Sequence, residues 1–139
     1  MIDLVLLPFA GGTSLTYMEW RFSDSVNVIP LDYRGHGFRM TEPLYTFFEE
    51  MVNDVSTQIV NKRSNKRLCI FGHSMGALLG WDVLNDLKRK GVHVNHLFVS
   101  ACLPPHLFNE KKYLEMASNN WLIPFLKKYS RIEPDRMKS

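Results

Sequence analysis

The sequence predicts an α/β fold in which four parallel strands form one open sheet and helices lie between them. Three observations predict it. Short apolar runs alternate with amphipathic stretches, the apolar runs are nearly continuous, and 139 residues suffice for one compact domain. Hydrophobic residues make up 45% of the chain and charged residues 22%, which is ordinary globular usage and excludes disorder for most of the chain.

The predicted strands are the four runs rich in Val, Ile, Leu and Phe. They cover residues 2–7, 26–31, 68–71 and 96–100. Strands that are apolar at nearly every position are typical of a parallel sheet covered on both faces. Because parallel strands need right-handed crossovers, the segments between them are expected to hold helices.

The predicted helices lie in these connections. A short helix is predicted within residues 13–20. Apolar residues then recur at steps of three and four from Leu44 to Ile59, which predicts an amphipathic helix. A third helix is predicted over residues 74–90, because basic residues fill its last turn and Gly91 follows.

The character of the chain changes after two consecutive prolines at positions 104 and 105. We expect residues 1–106 to form the α/β core. Residues 107–139 are expected to form a segment of a helical lid with a polar tail, because aromatic and apolar residues are scattered as far as residue 129 and polar residues follow.

Composition excludes several classes of function. The net charge of +3 is mild, so it does not indicate nucleic-acid binding and only slightly favours an acidic partner. No apolar run reaches the roughly 18 residues that span a bilayer, and the first residues do not resemble a signal peptide. Cys69 and Cys102 lie in or beside apolar runs and are expected to be reduced thiols of a cytoplasmic protein. No metal-ligand spacing is present, so no metal is expected.

The strongest signal for chemistry is Gly72-His73-Ser74-Met75-Gly76, which lies between a predicted strand and a predicted helix. In this context Gly-x-Ser-x-Gly predicts a nucleophile elbow, a sharp turn where the serine adopts a strained backbone and projects its hydroxyl above the sheet. Glycine on both sides avoids clashes, and the positive end of the new helix suits a developing oxyanion. We therefore predict Ser74 as the nucleophile and Gly72 and Gly76 as elbow glycines.

The loop after the first strand, Leu7-Pro8-Phe9-Ala10-Gly11-Gly12, is the second signal. Its Gly-Gly turn leaves backbone N–H groups accessible. In a hydrolase with a nucleophile elbow this loop supplies one oxyanion donor, and the residue after the nucleophile, here Met75, supplies the other. Neither GxGxxG nor GxxxxGK[ST] occurs, so a phosphate-binding loop is not predicted.

Three segments resemble the type II thioesterases, the stand-alone α/β-hydrolases that serve nonribosomal peptide and polyketide synthetases. The segments are GHSMG, LPFAGGTSLTYMEW and RGHGFRMTEP. They occur in the same order along the chain as in that family, and at a similar spacing. The resemblance covers residues 1–105 well and the remainder weakly. There are two departures. Phe9 stands where the family usually has His, and Tyr33-Arg34-Gly35-His36-Gly37 stands where it usually reads Pro-Gly-Arg.

The resemblance implies the N-terminal half of an α/β-hydrolase fold, followed by the start of a helical lid. It implies hydrolysis of acyl groups from the phosphopantetheine arm of acyl or peptidyl carrier proteins, which clears misprimed or stalled synthetases. Ser74 would attack the thioester carbonyl, and the N–H groups of Ala10 and Met75 would hold the oxyanion. No cofactor is expected, because the phosphopantetheine belongs to the carrier protein.

A serine nucleophile also needs a base and an orienting acid. In this fold the chain order is Ser, then Asp or Glu, then His, and the resemblance places the last two past the lid. We therefore expect a C-terminally truncated, very poor hydrolase with an exposed sheet edge. His106, with Glu110 nearby, is the best substitute base within the chain.

The other candidates are expected to play no catalytic part. His73 should point away from the nucleophile, and His36 should be a loop residue at the catalytic edge. His93 and His96 should lie at the opposite edge of the sheet. Asp82 and Asp86 should be solvated side chains of the helix that follows Ser74.

Two other hypotheses stay open at this point. The chain can be a catalytically inactive fragment that lacks the triad Asp and His, or a general α/β-hydrolase that acts on small esters. If the chain is an inactive fragment, Ser74→Ala leaves acyl-pantetheine turnover unchanged. If it is a general ester hydrolase, it cleaves small oxygen esters faster than carrier-bound thioesters. The sequence predicts no oligomeric state.

Overall fold

A computed structural model describes residues 1–102 and shows a parallel four-stranded sheet with two helices. The strands are β1 (Ile2–Leu7), β2 (Val26–Pro30), β3 (Arg67–His73) and β4 (His96–Ser100), and the helices are α1 (Phe48–Lys62) and α2 (Met75–Arg89). The strand order is β2-β1-β3-β4. The predicted fold class is confirmed. The predicted boundary at residue 106 and the predicted lid segment lie outside the described residues.

The register of the sheet brings the functional loops to one edge. Leu7 at the end of β1 pairs with Gly72 near the end of β3, and His73 pairs with Ser100 at the end of β4. Because the strands are parallel, the loop after β1, the turn after β3 and the end of β4 all emerge on the same side.

One hydrophobic core joins both helices to one face of the sheet. Alternate residues of a strand point to the same face, so every second apolar position of β1 and β3 meets α1 and α2. The core residues from these four elements are Val5, Leu7, Leu68, Ile70, Met51, Val52, Val55, Ile59, Leu79, Val83 and Leu87.

Burial of β4 is less complete than predicted. Phe98 is 48% exposed and Val99 is 41% exposed, so the expectation that every strand is covered on both faces is wrong for this strand. The reason is its position: within residues 1–102, β4 pairs only with β3.

Two connections differ from the predicted helices. The 13–20 segment forms only a 3₁₀ turn, Ser14–Tyr17. The second helix begins at Phe48, not Leu44, and Leu44 is 67% exposed. The Tyr45 hydroxyl donates to the Asp54 carboxylate inside α1, and this contact holds the preceding chain outside the helix.

Asp3 is a fully buried carboxylate that ties β1 to its neighbours. It accepts a hydrogen bond of 2.7 Å from the Asn27 side chain, and the Ser64 N–H and hydroxyl donate to it at 2.7 and 2.8 Å. Burial by itself would raise the pKa of Asp3, but the hydrogen bonds from Asn27 and Ser64 outweigh burial and lower the pKa below its usual value.

This lowered pKa predicts a loss of stability in acid. A carboxyl group whose pKa is lower in the folded than in the unfolded state stabilises the fold above its unfolded pKa, and that contribution is lost as the pH falls through the folded pKa. We expect the free energy of unfolding to fall below about pH 4, and to fall less steeply in Asp3→Asn. Urea unfolding between pH 7 and pH 3 measures this. Asp24→Asn, at an exposed position, is the control, and an unchanged slope in Asp3→Asn would contradict the prediction.

Candidate active site

Ser74 occupies the sharp turn between β3 and α2. Its φ is 53° and its ψ is −114°, in a region that non-glycine residues rarely adopt. Its carbonyl oxygen accepts the N–H of Ala77 at 3.0 Å, so α2 starts directly after it. The strained serine that the motif predicts is therefore present.

The two glycines of the motif have no room for a side chain. A Cβ on Gly72 would overlap the carbonyl group of Gly76. A Cβ on Gly76 would overlap the carbonyl oxygen of Leu7 and lie 2.8 Å from that of Pro8. The turn thus packs backbone against backbone on the end of β1, and only glycine permits this approach.

Ser100 holds the elbow from β4. Its carbonyl oxygen accepts the Ser74 N–H at 2.8 Å, and its hydroxyl lies 3.0 Å from Nδ1 of His73. The His73 ring also meets the Phe9 ring edge-on at 5.9 Å. No hydrogen bond within residues 1–102 joins His73 to the Ser74 hydroxyl. His73 therefore packs against the residues beside the turn and does not act as the base for Ser74 there.

The loop after β1 runs beside the elbow. Gly11 has a φ of +78°, and the Gly12 N–H donates to the Phe9 carbonyl oxygen at 2.9 Å, which closes a tight turn. Within the described part of the chain, the N–H groups of Ala10 and Met75 make no hydrogen bond. Neither predicted oxyanion donor is therefore paired within residues 1–102, and Gly76, which follows Met75, packs closely on the end of β1, where the loop that carries Ala10 begins.

Three residues at this edge were not predicted from the sequence. The Tyr17 hydroxyl donates to the Leu7 carbonyl oxygen at 3.0 Å, and the Tyr33 hydroxyl donates to that of Pro8 at 2.8 Å. Asp32 is buried and accepts hydrogen bonds from Ser14, in the connection between β1 and β2, and from Phe38, in its own connection between β2 and α1. The available signal was polar atoms on residues that follow β1 and β2 at the catalytic edge.

The structure separates the remaining candidates from Ser74. His36 lies in the loop after β2, with Nδ1 3.0 Å from the Arg34 carbonyl oxygen, and His93 and His96 lie at the amino end of β4. His106 and Glu110 lie outside the described residues. No histidine in residues 1–102 is hydrogen-bonded to the Ser74 hydroxyl.

The expectation for the acidic residues of α2 needs one correction. The Asp86 side chain is only 16% exposed and lies 2.7 Å from the Lys90 ammonium group, so it is not a solvated residue. Burial would raise the pKa of Asp86, but its contacts with Lys90 lower it overall. Asp82 is half-buried and also has a partner.

Residues 1–102 contain no group of three or more His, Cys, Asp or Glu side chains placed to bind a metal ion. Neither α1 nor α2 is long and apolar enough to cross a membrane.

Comparison with known proteins identifies related chains. The family profile of the thioesterase domain matches residues 3–131. The chain is 31% identical over 102 residues to the linear gramicidin dehydrogenase LgrE of Brevibacillus parabrevis, and 34% identical over 109 residues to the probable anguibactin biosynthesis thioesterase AngT of Vibrio anguillarum. These matches cover 71% and 74% of this chain, but only 38% and 42% of the lengths of those two proteins.

A solved structure gives the same result. The RedJ thioesterase from the prodiginine biosynthetic pathway of Streptomyces coelicolor superposes with a TM-score of 0.75 at 32% identity. The superposition covers 99% of this chain and 52% of RedJ. The chain thus spans about half, or less, of the length of these relatives.

Proposed function

The chain belongs to the thioesterase-domain family, and from that premise we propose that the protein hydrolyses acyl thioesters on carrier proteins. The substrate is an acyl group on the phosphopantetheine arm of an acyl or peptidyl carrier domain of a peptide or polyketide synthetase. AngT and RedJ, which are named as thioesterases of anguibactin and prodiginine biosynthesis, support this substrate class. The single observation that carries the proposal is the strained Ser74 beside the loop after β1, where the N–H groups of Ala10 and Met75 have no partner within residues 1–102.

The chemistry begins at the Ser74 hydroxyl. Its oxygen attacks the thioester carbonyl, and its proton passes to a general base. The N–H groups of Ala10 and Met75 hold the negative oxygen of the tetrahedral intermediate, and the positive end of α2 adds to this stabilisation. The carbon–sulfur bond then breaks, and the pantetheine thiolate takes the proton from the base.

A second step regenerates the enzyme. Water attacks the acyl-serine, the base accepts its proton, and the carboxylic acid leaves as Ser74 regains its hydroxyl. We propose that the base and its orienting acid come from sequence outside residues 1–102. No resident cofactor is needed, because the serine supplies the nucleophile and the backbone supplies the oxyanion donors.

The partner and the location follow from the same proposal. The net charge of +3 suits an acidic carrier domain. Cys69 and Cys102 are free thiols, with Cys69 buried in the sheet, which supports a reducing, cytoplasmic location.

The name of LgrE raises dehydrogenase activity as a different class of reaction. The loop after β1 argues against a bound dinucleotide. It reads Leu7-Pro8-Phe9-Ala10-Gly11-Gly12, without the GxGxxG in which glycines let the backbone approach a pyrophosphate. Hydrolysis by Ser74 accounts for the strained elbow, which a nucleotide-binding role leaves unexplained.

The ranking of substrates tests the proposal. We expect kcat/KM for an acyl thioester on a carrier protein to exceed that for a small oxygen ester such as p-nitrophenyl acetate by about tenfold or more, because the carrier and its arm add binding energy realised in the transition state. Thiol release and nitrophenol release measure the two rates. The opposite ranking would identify a general ester hydrolase, and folded protein that turns over neither substrate would refute the enzyme proposal.

A further inference from the structure

We propose that Tyr17, Tyr33 and Asp32 are positioning residues. They form a clamp that holds the loop after β1 in the position from which the Ala10 N–H donates to the oxyanion. The inference rests on the proposed function, since it takes Ala10 as an oxyanion donor. It assigns to three buried residues a role in catalysis that acts through the backbone of this loop.

The two tyrosines fix the start of the loop. The N–H of Leu31 donates to the Leu6 carbonyl oxygen, and no backbone N–H of residues 32–47 donates to the carbonyl oxygens of Leu7 and Pro8. Side-chain hydroxyls donate to these two oxygens instead: that of Tyr17 to the Leu7 carbonyl oxygen at 3.0 Å, and that of Tyr33 to the Pro8 carbonyl oxygen at 2.8 Å. These are the same two oxygens that Gly76 of the elbow abuts.

The start of the loop is therefore held from two sides. On one side Gly76 of the elbow lies so near that a Cβ on it would overlap the Leu7 carbonyl oxygen and come within 2.8 Å of that of Pro8, and on the other the phenol hydroxyls bind the same oxygens. A carbonyl group held in this way sets the plane of the following peptide. The position of Ala10, two residues after Pro8, relative to Ser74 then depends on both contacts.

Asp32 fixes the end of the loop. Its carboxylate is only 6% exposed and accepts the Ser14 N–H at 2.7 Å, the Ser14 hydroxyl at 2.9 Å and the Phe38 N–H at 3.1 Å. Ser14 begins the 3₁₀ turn that ends at Tyr17. The turn is thus held at its first residue, Ser14, by Asp32 and at its last residue by the bond from the Tyr17 hydroxyl to Leu7. Residues 8–13, which include Ala10, connect Leu7 to Ser14.

The phenol groups suit this task. Tyr33 and Tyr17 are 2% and 6% exposed, and burial raises the pKa of both hydroxyls. They consequently remain protonated hydrogen-bond donors at any working pH. Tyr17 also packs edge-on against Phe71 and Trp20, which fixes its ring.

Placement of this kind affects the transition state more than substrate binding. Oxyanion donors contribute only when they are held within about 0.5 Å of the productive position. Removing one phenol hydroxyl leaves a carbonyl oxygen without its partner and frees the loop, while the acyl and carrier-binding surfaces stay as they were. We therefore expect kcat to fall while KM remains unchanged.

Two variants and one matched control test the clamp. Tyr17→Phe and Tyr33→Phe remove only the hydroxyls that bind the loop. Tyr45→Phe removes a hydroxyl that donates to Asp54 and accepts the Arg34 N–H but makes no hydrogen bond with the loop after β1, and so controls for the general loss of a hydrogen-bonded phenol. In Tyr17→Phe and Tyr33→Phe we expect kcat to fall about tenfold at constant KM, and in Tyr45→Phe less than about twofold.

Two further readouts do not depend on turnover. Octylboronic acid mimics the tetrahedral intermediate by forming a bond from boron to the Ser74 oxygen, with release of the hydroxyl proton. Its Kd is expected to rise about tenfold in Tyr17→Phe and Tyr33→Phe only. Hydrogen exchange of the backbone amides at residues 9–13 is expected to quicken in the same two variants, and not in Tyr45→Phe.

The outcomes separate the clamp from the proposed function. Unchanged amide exchange at residues 9–13 in Tyr17→Phe and Tyr33→Phe overturns the clamp, whatever the activity. Boronate binding that depends on Ser74 but is equal in all three tyrosine variants overturns it as well. If boronate binding survives Ser74→Ala, the proposed function fails, and amide exchange still decides whether the clamp holds the loop.

Discussion

In a protein that carries the general base and its orienting acid, Ser74→Ala is expected to reduce hydrolysis of a carrier-bound acyl thioester about a million-fold, because removal of the nucleophile of a comparable triad costs that much. The fold should be preserved. Alanine adopts the same strained φ of 53° no less readily than serine, and within residues 1–102 the Ser74 hydroxyl makes no hydrogen bond that the substitution would break. Thiol release from the carrier protein measures the rate.

A serine variant at an unrelated site completes this test. Ser23→Ala removes an exposed hydroxyl that contacts only Ser25 among the described residues, so its turnover should stay within about twofold of the parent. Turnover by Ser74→Ala at a rate near that of Ser23→Ala would place the nucleophile elsewhere.

Gly76→Ala is expected to cause the second large effect, a loss of about 2 kcal/mol or more in the free energy of unfolding together with a fall in turnover. The new methyl group would overlap the Leu7 carbonyl oxygen and lie 2.8 Å from that of Pro8. Since backbone atoms cannot rotate away as a side chain can, the end of β1 must shift, and Ala10 must move relative to Ser74. Urea unfolding and thiol release measure the two losses.

Gly80→Ala is the matched control, because Gly80 lies one turn further along the same helix. There a Cβ would lie 2.9 Å from the Leu97 Cδ1, the end of a flexible side chain, and alanine favours a helix over glycine by about 1 kcal/mol. The two effects nearly cancel, so stability and turnover should change little. If Gly76→Ala were as mild as Gly80→Ala, the close packing of the elbow on β1 would be refuted.

Local patterns explain what could be predicted from the sequence. β1 and β4 have the predicted bounds, because apolar runs and their flanking residues are local signals. The strained Ser74 and the crowding at Gly72 and Gly76 follow from five consecutive residues in a strand–turn–helix setting.

Long-range contacts explain what was missed. The apolar period places Leu44 in a helix, but the Tyr45–Asp54 contact keeps the chain before Phe48 outside it. The hydroxyl contacts of Tyr17 and Tyr33 depend on loops that meet only when the sheet forms, and no periodicity encodes them. Exposure of β4 likewise depends on which strands lie beside it, which the composition of the strand does not specify.

Trapping the acyl-enzyme shows which residue of the protein is the nucleophile that attacks the thioester. The protein is mixed with an acyl-carrier thioester, quenched in acid during turnover and digested, and the mass of each peptide is measured. We expect the acyl group on the peptide that contains Ser74, bound to that serine. An acyl group on Cys69, Cys102 or any other residue would contradict this expectation.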